Sequence, residues 1–366
     1  MKSIDKELII FMPSIEMGGG VEKNFLLLTN FLVKKIKKIS IITASKKYKK
    51  YLNNKVRYIS LNTNILDQIG RRKKFFLSLI ILLKKLIISK NVTVLSFQGH
   101  IYCVLLCKLF NVRVIIRSNT SPFGWSNNFL KKILYKFIYS LADEIIVNSL
   151  EFKKEMKTKL NLDTKIIYNP LNFSQINKIS KEKIDFKFFK KNSLNLINVA
   201  RLNEQKDQIT LLKSINYLKK KISIKLLIIG NGEEKKKMIN FINNNKLSKN
   251  VKILSYKKNP FPYILKSDLF VLSSRYEGLP NILLETIVLK IPILSSDCST
   301  GPKEILDNGL GGLLFKKENY KDLAKKIIFF NQNKKVITKK TNYAYRRLFR
   351  FDYNTNLQKY FKIVSN

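Results

Sequence analysis

Acidic side chains are scarce in this chain of 366 residues: 25 Asp and Glu stand against 70 Lys and Arg, for a formal charge of +45. Histidine is scarcer still, with His100 alone, and the cysteines are Cys103, Cys107 and Cys298. An odd number of cysteines with no CxxC pair describes neither a disulfide framework nor a zinc site, and suits a reducing, cytoplasmic setting. Cys103 and Cys107 lie four apart in an apolar stretch and read as buried helix residues. Long hydrophobic runs are missing too. The most membrane-like segment, FFLSLIILLKKLII at 75–88, is interrupted by Lys84 and Lys85 well below the ~20 residues of a spanning helix. It reads as a core or peripheral helix, and the flanking Arg71, Arg72, Lys73 and Lys74 keep a monotopic membrane contact open. The N-terminal MKSIDKELIIFMPS places two acids before a short apolar run, which suits a first strand and not a secretory signal.

What is present is enough apolar material, 45% of residues, to fill the cores of two ordinary domains. The positive charge is spread evenly, with 31 basic and 10 acidic residues in 1–170 and 39 and 15 in 171–366. Part of it reads as a bias toward Lys, Asn and Ile, and the remainder favours anionic partners such as lipid head groups or phosphorylated small molecules. Nucleic acid is not expected, because no aromatic-basic RNA motif or recognition helix stands out.

Short apolar runs recur, each followed by a polar turn and a longer helical pattern. LIIFMPS (8–14), KISIITAS (38–45), NVTVLSFQ (91–98), VRVIIRSN (112–119) and DEIIVNSL (143–150) form a first series. LNLINVARL (194–202), IKLLIIGNGEE (224–234), NVKILSY (250–256), SDLFVLSS (267–274) and KIPILSSD (290–297) form a second. Continuous rather than alternating hydrophobicity predicts strands covered on both faces, and therefore parallel α/β sheets. Between the series the pattern breaks at Asn169–Pro170. The expected organisation is two doubly wound domains: an N-terminal domain over 1–170, a linker over 171–190, a second domain over 191–345, and a C-terminal helix over 346–366 that could cross back to the first domain.

In open parallel sheets ligands sit beyond the carboxyl ends of the strands, so the loops there are the places to search. MGGGVEKNF, with Gly18, Gly19 and Gly20, could bring backbone amides to an anion at a helix N-terminus or be a plain flexible turn. VARLNEQKD offers Arg201 and Lys206, a forked guanidinium and a point charge suited to a diphosphate, or else a solvated turn. IIGNGEE brackets a tight turn between Gly230 and Gly232, for structure or for close approach to a ligand. SSRYEGLPNILLE places Glu277 in a loop and Glu285 in the following helix, two carboxylates able to accept hydrogen bonds from sugar hydroxyls.

Glu277 and Glu285 resemble the E-x7-E motif of retaining glycosyltransferases of family 4. RLNEQKD is similar to that family's R-x4-K phosphate site, IIGNGEE to its G-x-G-x-E turn, and SSDCSTGPKEIL (295–306) to a motif of its bacterial members. The four pieces match in order and spacing over about 190–310. The resemblance implies the GT-B fold, two Rossmann-like doubly wound domains facing across a cleft, with acceptor binding in the first and nucleotide-sugar binding in the second. It implies that Arg201 and Lys206 bind the donor diphosphate and stabilise the leaving nucleotide. Glu285 would bind the ribose and Glu277 the donor sugar. Gly230, Gly278, Leu279 and Asn281 would line the donor, and Gly19 and Gly20 would close over the diphosphate from the other domain. Pro280 has no N–H to contribute. Fixed cations and helix N-termini would stabilise the departing diphosphate without a metal or cofactor, and closure would exclude water.

One departure is visible. Many family members carry a His beside the donor sugar, where this chain has Ser118 and Asn119 in IIRSNTSP. Arg117 and Asn119 are alternative contacts to sugar or acceptor, and so is His100, for which a solvent-facing or structurally hydrogen-bonded role is the reading put first. The reaction implied is retaining transfer of an N-acetylhexosamine or hexose from a UDP-sugar to a glycan, favoured as a polyprenyl-diphosphate-linked oligosaccharide of surface polysaccharide or glycoprotein glycan synthesis. That places the protein in the cytoplasm, peripherally on the inner face of an anionic membrane. Two alternatives are a basic polyanion-binding protein on a degenerate transferase fold and a UDP-sugar epimerase or hydrolase, the last short of acid–base groups in a chain with one histidine.

Overall fold

The computed structural model describes residues 6–15, 20–45, 49–60, 69–89, 91–119, 129–298 and 300–366. The chain divides into two units, one of residues 1–170 with 353–366 and one of residues 171–352.

In the first unit the elements run β1 (Glu7–Phe11), α1 (Gly20–Leu32), β2 (Ile39–Ile42), β3 (Arg57–Ile59), α2 (Arg71–Ile88), β4 (Val92–Ser96), α3 (His100–Leu109), β5 (Arg113–Arg117), α4 (Phe129–Ser140), β6 (Glu144–Val147), α5 (Leu150–Leu160) and β7 (Lys165–Ile166). Among the described residues they build a parallel sheet ordered β3-β2-β1-β4-β5-β6-β7. The continuous apolar runs are explained by its two covered faces. Leu8 and Ile10 of β1 point into one core and Ile9 and Phe11 into the other.

The second unit runs α6 (Phe173–Ile179), β8 (Leu194–Val199), α7 (Gln208–Leu218), β9 (Ile224–Ile229), α8 (Lys235–Asn244), β10 (Val251–Leu254), α9 (Phe261–Leu265), β11 (Leu269–Leu272), α10 (Asn281–Val288), β12 (Ile293–Ser296), α11 (Pro302–Ile305), β13 (Leu313–Phe315), α12 (Tyr320–Gln332) and α13 (Lys334–Arg346). Its sheet is ordered β10-β9-β8-β11-β12-β13, and the strand pairs are parallel. Leu211, Leu212, Ile215 and Leu218 of α7 and Leu323 and Ile327 of α12 pack over β8 and β9. Each such buried aliphatic side chain contributes about 1.5–3 kcal/mol relative to exposure.

Two boundaries differ from the sequence reading. The segment 171–190, expected as a linker, carries α6, whose N-cap Asn172 accepts from Gln175 N at 3.0 Å, and it belongs to the second unit. The last helix, α14 (Tyr353–Ser365), starts later than residue 346, after α13 and a short 3-10 turn over Arg347–Phe351. It returns to the first unit and packs on α1, burying Leu357, Tyr360 and Val364 with Phe25, Leu28 and Leu32.

Arg117 ties this return together. Its side chain is 1% exposed, Nε donates to the Tyr360 hydroxyl at 2.6 Å, and one terminal nitrogen donates to Asn169 Oδ1 at 2.7 Å. The other terminal nitrogen donates to Asn119, and the guanidinium lies 5.3 Å from the Phe97 ring centroid. A buried cation needs such partners. Arg117 therefore cannot serve as an open contact to sugar or acceptor; a ligand would reach it only by displacing these groups.

Candidate functional site

In the second unit β8 leads through α7 to β9 on one side, and β11 leads through α10 to β12 on the other. The loops leaving the adjacent β8 and β11 diverge, which makes the gap between them the switch point of a doubly wound sheet. Lys206 stands on the β8 loop and Glu277 on the β11 loop. Lys206 Nζ donates to Glu277 Oε1 at 2.5 Å, and Ser274 Oγ donates to the same oxygen at 2.6 Å. The side chains are 19% and 7% exposed, so the pair is largely withdrawn from water.

Local backbone chemistry aims Lys206. Asn203 caps the 3-10 turn Glu204–Lys206 by accepting from Lys206 N. Asp207 then takes a left-handed conformation, φ 45°, and caps α7 by accepting from Thr210 N at 3.3 Å. Burial is the main reason the Asp207 carboxyl lies above its ordinary pKa. The β11 loop is bonded to the β8 loop at several points: Ser273 Oγ to Lys206 O at 2.8 Å, Arg275 N to Gln205 O at 2.8 Å, and Gln205 Nε2 to Tyr276 O at 2.9 Å.

The β12 loop clamps the other side of Glu277. Thr300 donates its hydroxyl to the Glu277 carbonyl, and Gly301, at φ 66°, approaches Gly278 so closely that a Cβ would stand 1.6 Å from the Gly278 carbonyl oxygen. Cys298 is buried beside this loop; burial first, then the Glu277 charge, pushes its thiol up to about 12. It is no nucleophile in that state.

Of the remaining predicted donor contacts, Arg201 is exposed just past β8 and has no ion-pair partner among the described residues. Its carbonyl accepts from Gln208 Nε2 at 2.9 Å, which fixes the backbone beneath it. Glu285 lies inside α10 at 6% exposure; Leu279 is buried, and Gly278 and Asn281 are half-buried at the helix start. Gly230 has a packing requirement of its own, since a Cβ there would stand 1.9 Å from the Ala200 carbonyl oxygen; the equivalent distance from Gly232 to the Leu202 oxygen is 2.1 Å. The β9 loop thus needs both glycines to lie against the β8 loop. Ser274, Thr300 and Gly301 were not singled out from the sequence. The one signal for the last two was their place in the quoted CSTGPKEIL stretch.

The first unit has an equivalent switch point between β1 and β4, where Gln98 Oε1 accepts from Ser14 N at 3.2 Å. Gly20 opens α1, and Gly19 lies outside the described residues. Asn119 is engaged internally, donating to Phe97 O at 3.0 Å besides accepting from Arg117. His100 begins α3, with Nδ1 3.0 Å from Ser96 Oγ and its ring edge-on to Tyr139. Burial, then the Arg117 charge, lowers its pKa to about 4. Among the described residues no three His, Cys, Asp or Glu side chains converge to hold a metal ion.

The His100 shift sets a pH dependence. Its folded pKa lies below the ordinary 6.5, so as pH falls the unfolded chain takes up this proton first. The imidazole costs nothing above pH ~6.5, and stability declines from there to about 4, by on the order of 2 kcal/mol after discounting for its partial exposure. Urea midpoints measured across this window should fall less in His100→Gln than in the parent. As the one histidine, His100 should give a single imidazole resonance whose midpoint lies near 4; a midpoint at the ordinary value would refute the assignment.

Residues 180–347 match the family described as glycosyl transferases group 1. An uncharacterized glycosyltransferase of Methanocaldococcus jannaschii is 37% identical over 217 residues, 56% of this chain and 53% of that protein. The chain spans between about half and three fifths of the length of this and several other curated relatives. A Campylobacter jejuni protein named as a GalNAc-alpha-(1->4)-GalNAc-alpha-(1->3)-diNAcBac-PP-undecaprenol alpha-1,4-N-acetyl-D-galactosaminyltransferase is 26% identical with 98% of each chain covered. Among solved structures, Anabaena Alr3699/HepE in complex with UDP superposes with a TM-score of 0.78 at 16% identity, covering 98% of this chain and 99% of that one. That likeness establishes the GT-B fold, two parallel-sheet α/β domains. Residues 180–347 are accordingly a glycosyl transferases group 1 domain, carried on a chain with the GT-B fold.

Proposed function

We propose that the chain is a retaining, metal-independent glycosyltransferase of family 4 that moves a hexose or N-acetylhexosamine from a UDP-sugar to a glycan acceptor. The observation that carries this reading is the Lys206–Glu277 pair across the switch point, with the exposed Arg201 on the same loop as Lys206. When the bond to the anomeric carbon breaks, charge grows on the leaving diphosphate. Two cations on loops fixed by backbone hydrogen bonds can stabilise that charge without reorganising, which is the most effective form of electrostatic catalysis. Glu277 would accept from a donor-sugar hydroxyl and stand near the positive charge that develops on the sugar ring. Glu285 would take the ribose hydroxyls, and the backbone amides at the start of α10 would face the phosphates.

The acceptor is a polyprenyl-diphosphate-linked oligosaccharide, used by a protein held peripherally at a membrane. Support comes from the names of relatives such as the Campylobacter enzyme, which acts on an undecaprenol-linked glycan. The test is a panel of UDP-sugars incubated with a membrane extract, with products read by mass spectrometry and NMR. Transfer that persists in EDTA and gives an axial or equatorial linkage matching the donor anomer is expected. Neither binding nor turnover of any UDP-sugar would sink the enzyme reading and leave the polyanion-binding alternative.

A further inference from the structure

We propose that the outer face of α2, α3 and α4 docks onto an anionic lipid bilayer. This rests on the proposed peripheral placement at a membrane and names the face that makes the contact, and it stands apart from the transfer chemistry.

The three helices lie on the same face of the first unit's sheet, α3 packing against both α2 and α4. Their inward residues fill one core: Ile81, Leu82 and Leu86 from α2, Cys103, Val104 and Cys107 from α3, Ile138 and Tyr139 from α4. What is unusual is the opposite side. On α3 the outward positions are Tyr102, Leu105 and Leu109, the last 77% exposed. On α4 they are Leu130, Leu134 and Phe137, the first 73% exposed, and α2 adds Phe76 at 64%. On α3 and α4 the spacing is three or four residues, and on α2 Ile80 and Ile87 follow Phe76 at intervals of one and two turns, so every helix presents an apolar stripe to solvent and the stripes run side by side.

α5 gives the contrast. It belongs to the same layer and buries Phe152, Met156 and Leu160, yet its outward positions are Lys153, Lys154, Lys157 and Thr158. The outward apolar stripes are a property of three neighbouring helices and not of the layer. Contiguous apolar surface of this kind marks a binding face.

Charge identifies what covers it. α2, α3 and α4 contain no Asp or Glu, and they carry Arg71, Arg72 and Lys73 at one end of α2, with Lys132 and Lys136 exposed on α4. Apolar stripes bordered by lysine and arginine suit helices lying in the plane of a bilayer, side chains among the acyl chains and cations at anionic head groups. A second copy of this chain fits poorly. An isologous contact would set these same cations against each other, on a protein already at +45. No helix among the described residues is long and apolar enough to cross a membrane, so the contact is interfacial.

The experiment is flotation of the full chain, without donor or acceptor, on phosphatidylcholine vesicles with and without phosphatidylglycerol. Binding should require phosphatidylglycerol and weaken in high salt. The double variant Leu134→Glu/Phe137→Glu should lose binding by roughly tenfold or more, and Lys132→Glu/Lys136→Glu should weaken it on the anionic vesicles. Because Cys103, Cys107 and Cys298 are buried, a thiol introduced as Leu134→Cys can carry a polarity-sensitive fluorophore, whose emission should shift to the blue on these vesicles. Absence of flotation, equal flotation of the Glu variants, or a dimer in sedimentation that L134E/F137E dissociates would each overturn the proposal. A chain that floats as described but uses no UDP-sugar refutes the transferase reading alone.

Discussion

Replacing Glu277 by alanine should lower sugar transfer by about 10²–10³-fold at saturating donor, with the fold retained. The size follows from what the carboxylate does in this structure. It holds the Lys206 ammonium at 2.5 Å in a setting largely closed to water, and Ser274 braces the same oxygen. Without it Lys206 loses its nearest anchor, and under the proposed function the donor sugar loses an acceptor where positive charge would develop. Glu277→Gln tests the division between these roles, because the amide can still accept a hydrogen bond but carries no charge. Turnover should remain low in the Gln variant if charge is what matters. Lys206→Ala should also fall, chiefly in kcat, since the leaving diphosphate gains most of its charge in the transition state. Full turnover in Glu277→Ala, with an unchanged melting curve, would remove this residue from the reaction.

The largest effect on the fold of the second unit is expected from Gly301→Ala. Two costs combine: a φ of 66° that an L side chain rarely adopts, and a Cβ 1.6 Å from a backbone oxygen that cannot swing aside as a side chain could. The β12 loop must back away from Gly278, breaking the Thr300 bond to the Glu277 carbonyl on the way. A loss of about 4 kcal/mol or more is expected, in the class of exceptional single substitutions, accompanied by loss of transfer because the Glu277 loop is freed. Gly309→Ala separates the two costs. Its φ is 93°, but the nearest atom to a Cβ is 3.8 Å away, so backbone strain alone should cost about 1–2 kcal/mol. Similar urea midpoints for the two variants would show that the contact with Gly278 carries no cost.

The strands that the sequence disclosed and those it hid differ in one physical respect. β1, β2, β4, β5 and β6, and β8 to β12, appear as apolar runs because nearly all of them have a strand on each side and helices above and below. Arg57–Ile59, Lys165–Ile166 and Leu313–Phe315 were not recognised, and each lies at a sheet edge. Edge strands of two or three residues need no long apolar run. The loops that carry Arg201, Lys206 and Glu277 were legible as strand-to-helix turns, and the spacing of Glu277 from Glu285 in the following helix marked the second of them. That Lys206 meets Glu277 was not legible, because the pair is 71 residues apart and depends on which strands are neighbours. Arg117 was misjudged for a related reason: a polar residue at a strand end looks available until Tyr360, 243 residues later, is seen to accept from it. The outward stripes of α3 and α4 were hidden because helical periodicity reads the same whether the apolar side faces core or solvent.

The return of α14 has a consequence for synthesis. Leu171 and Asp352 lie side by side, joined by a bridge and by a hydrogen bond from Leu171 N to the Phe351 carbonyl at 2.9 Å, so the second unit enters and leaves at one place. It is one uninterrupted stretch and can fold on the ribosome as soon as residue 352 has emerged. The first unit is made earlier yet must wait. Until Tyr353–Ser365 follows, the α1 side of its sheet is only partly covered and Arg117 lacks the hydroxyl it is buried against. The half of the molecule translated first is therefore the half completed last, and in the interval it exposes the apolar surface of α1 to whatever chaperone or misfolded partner reaches it.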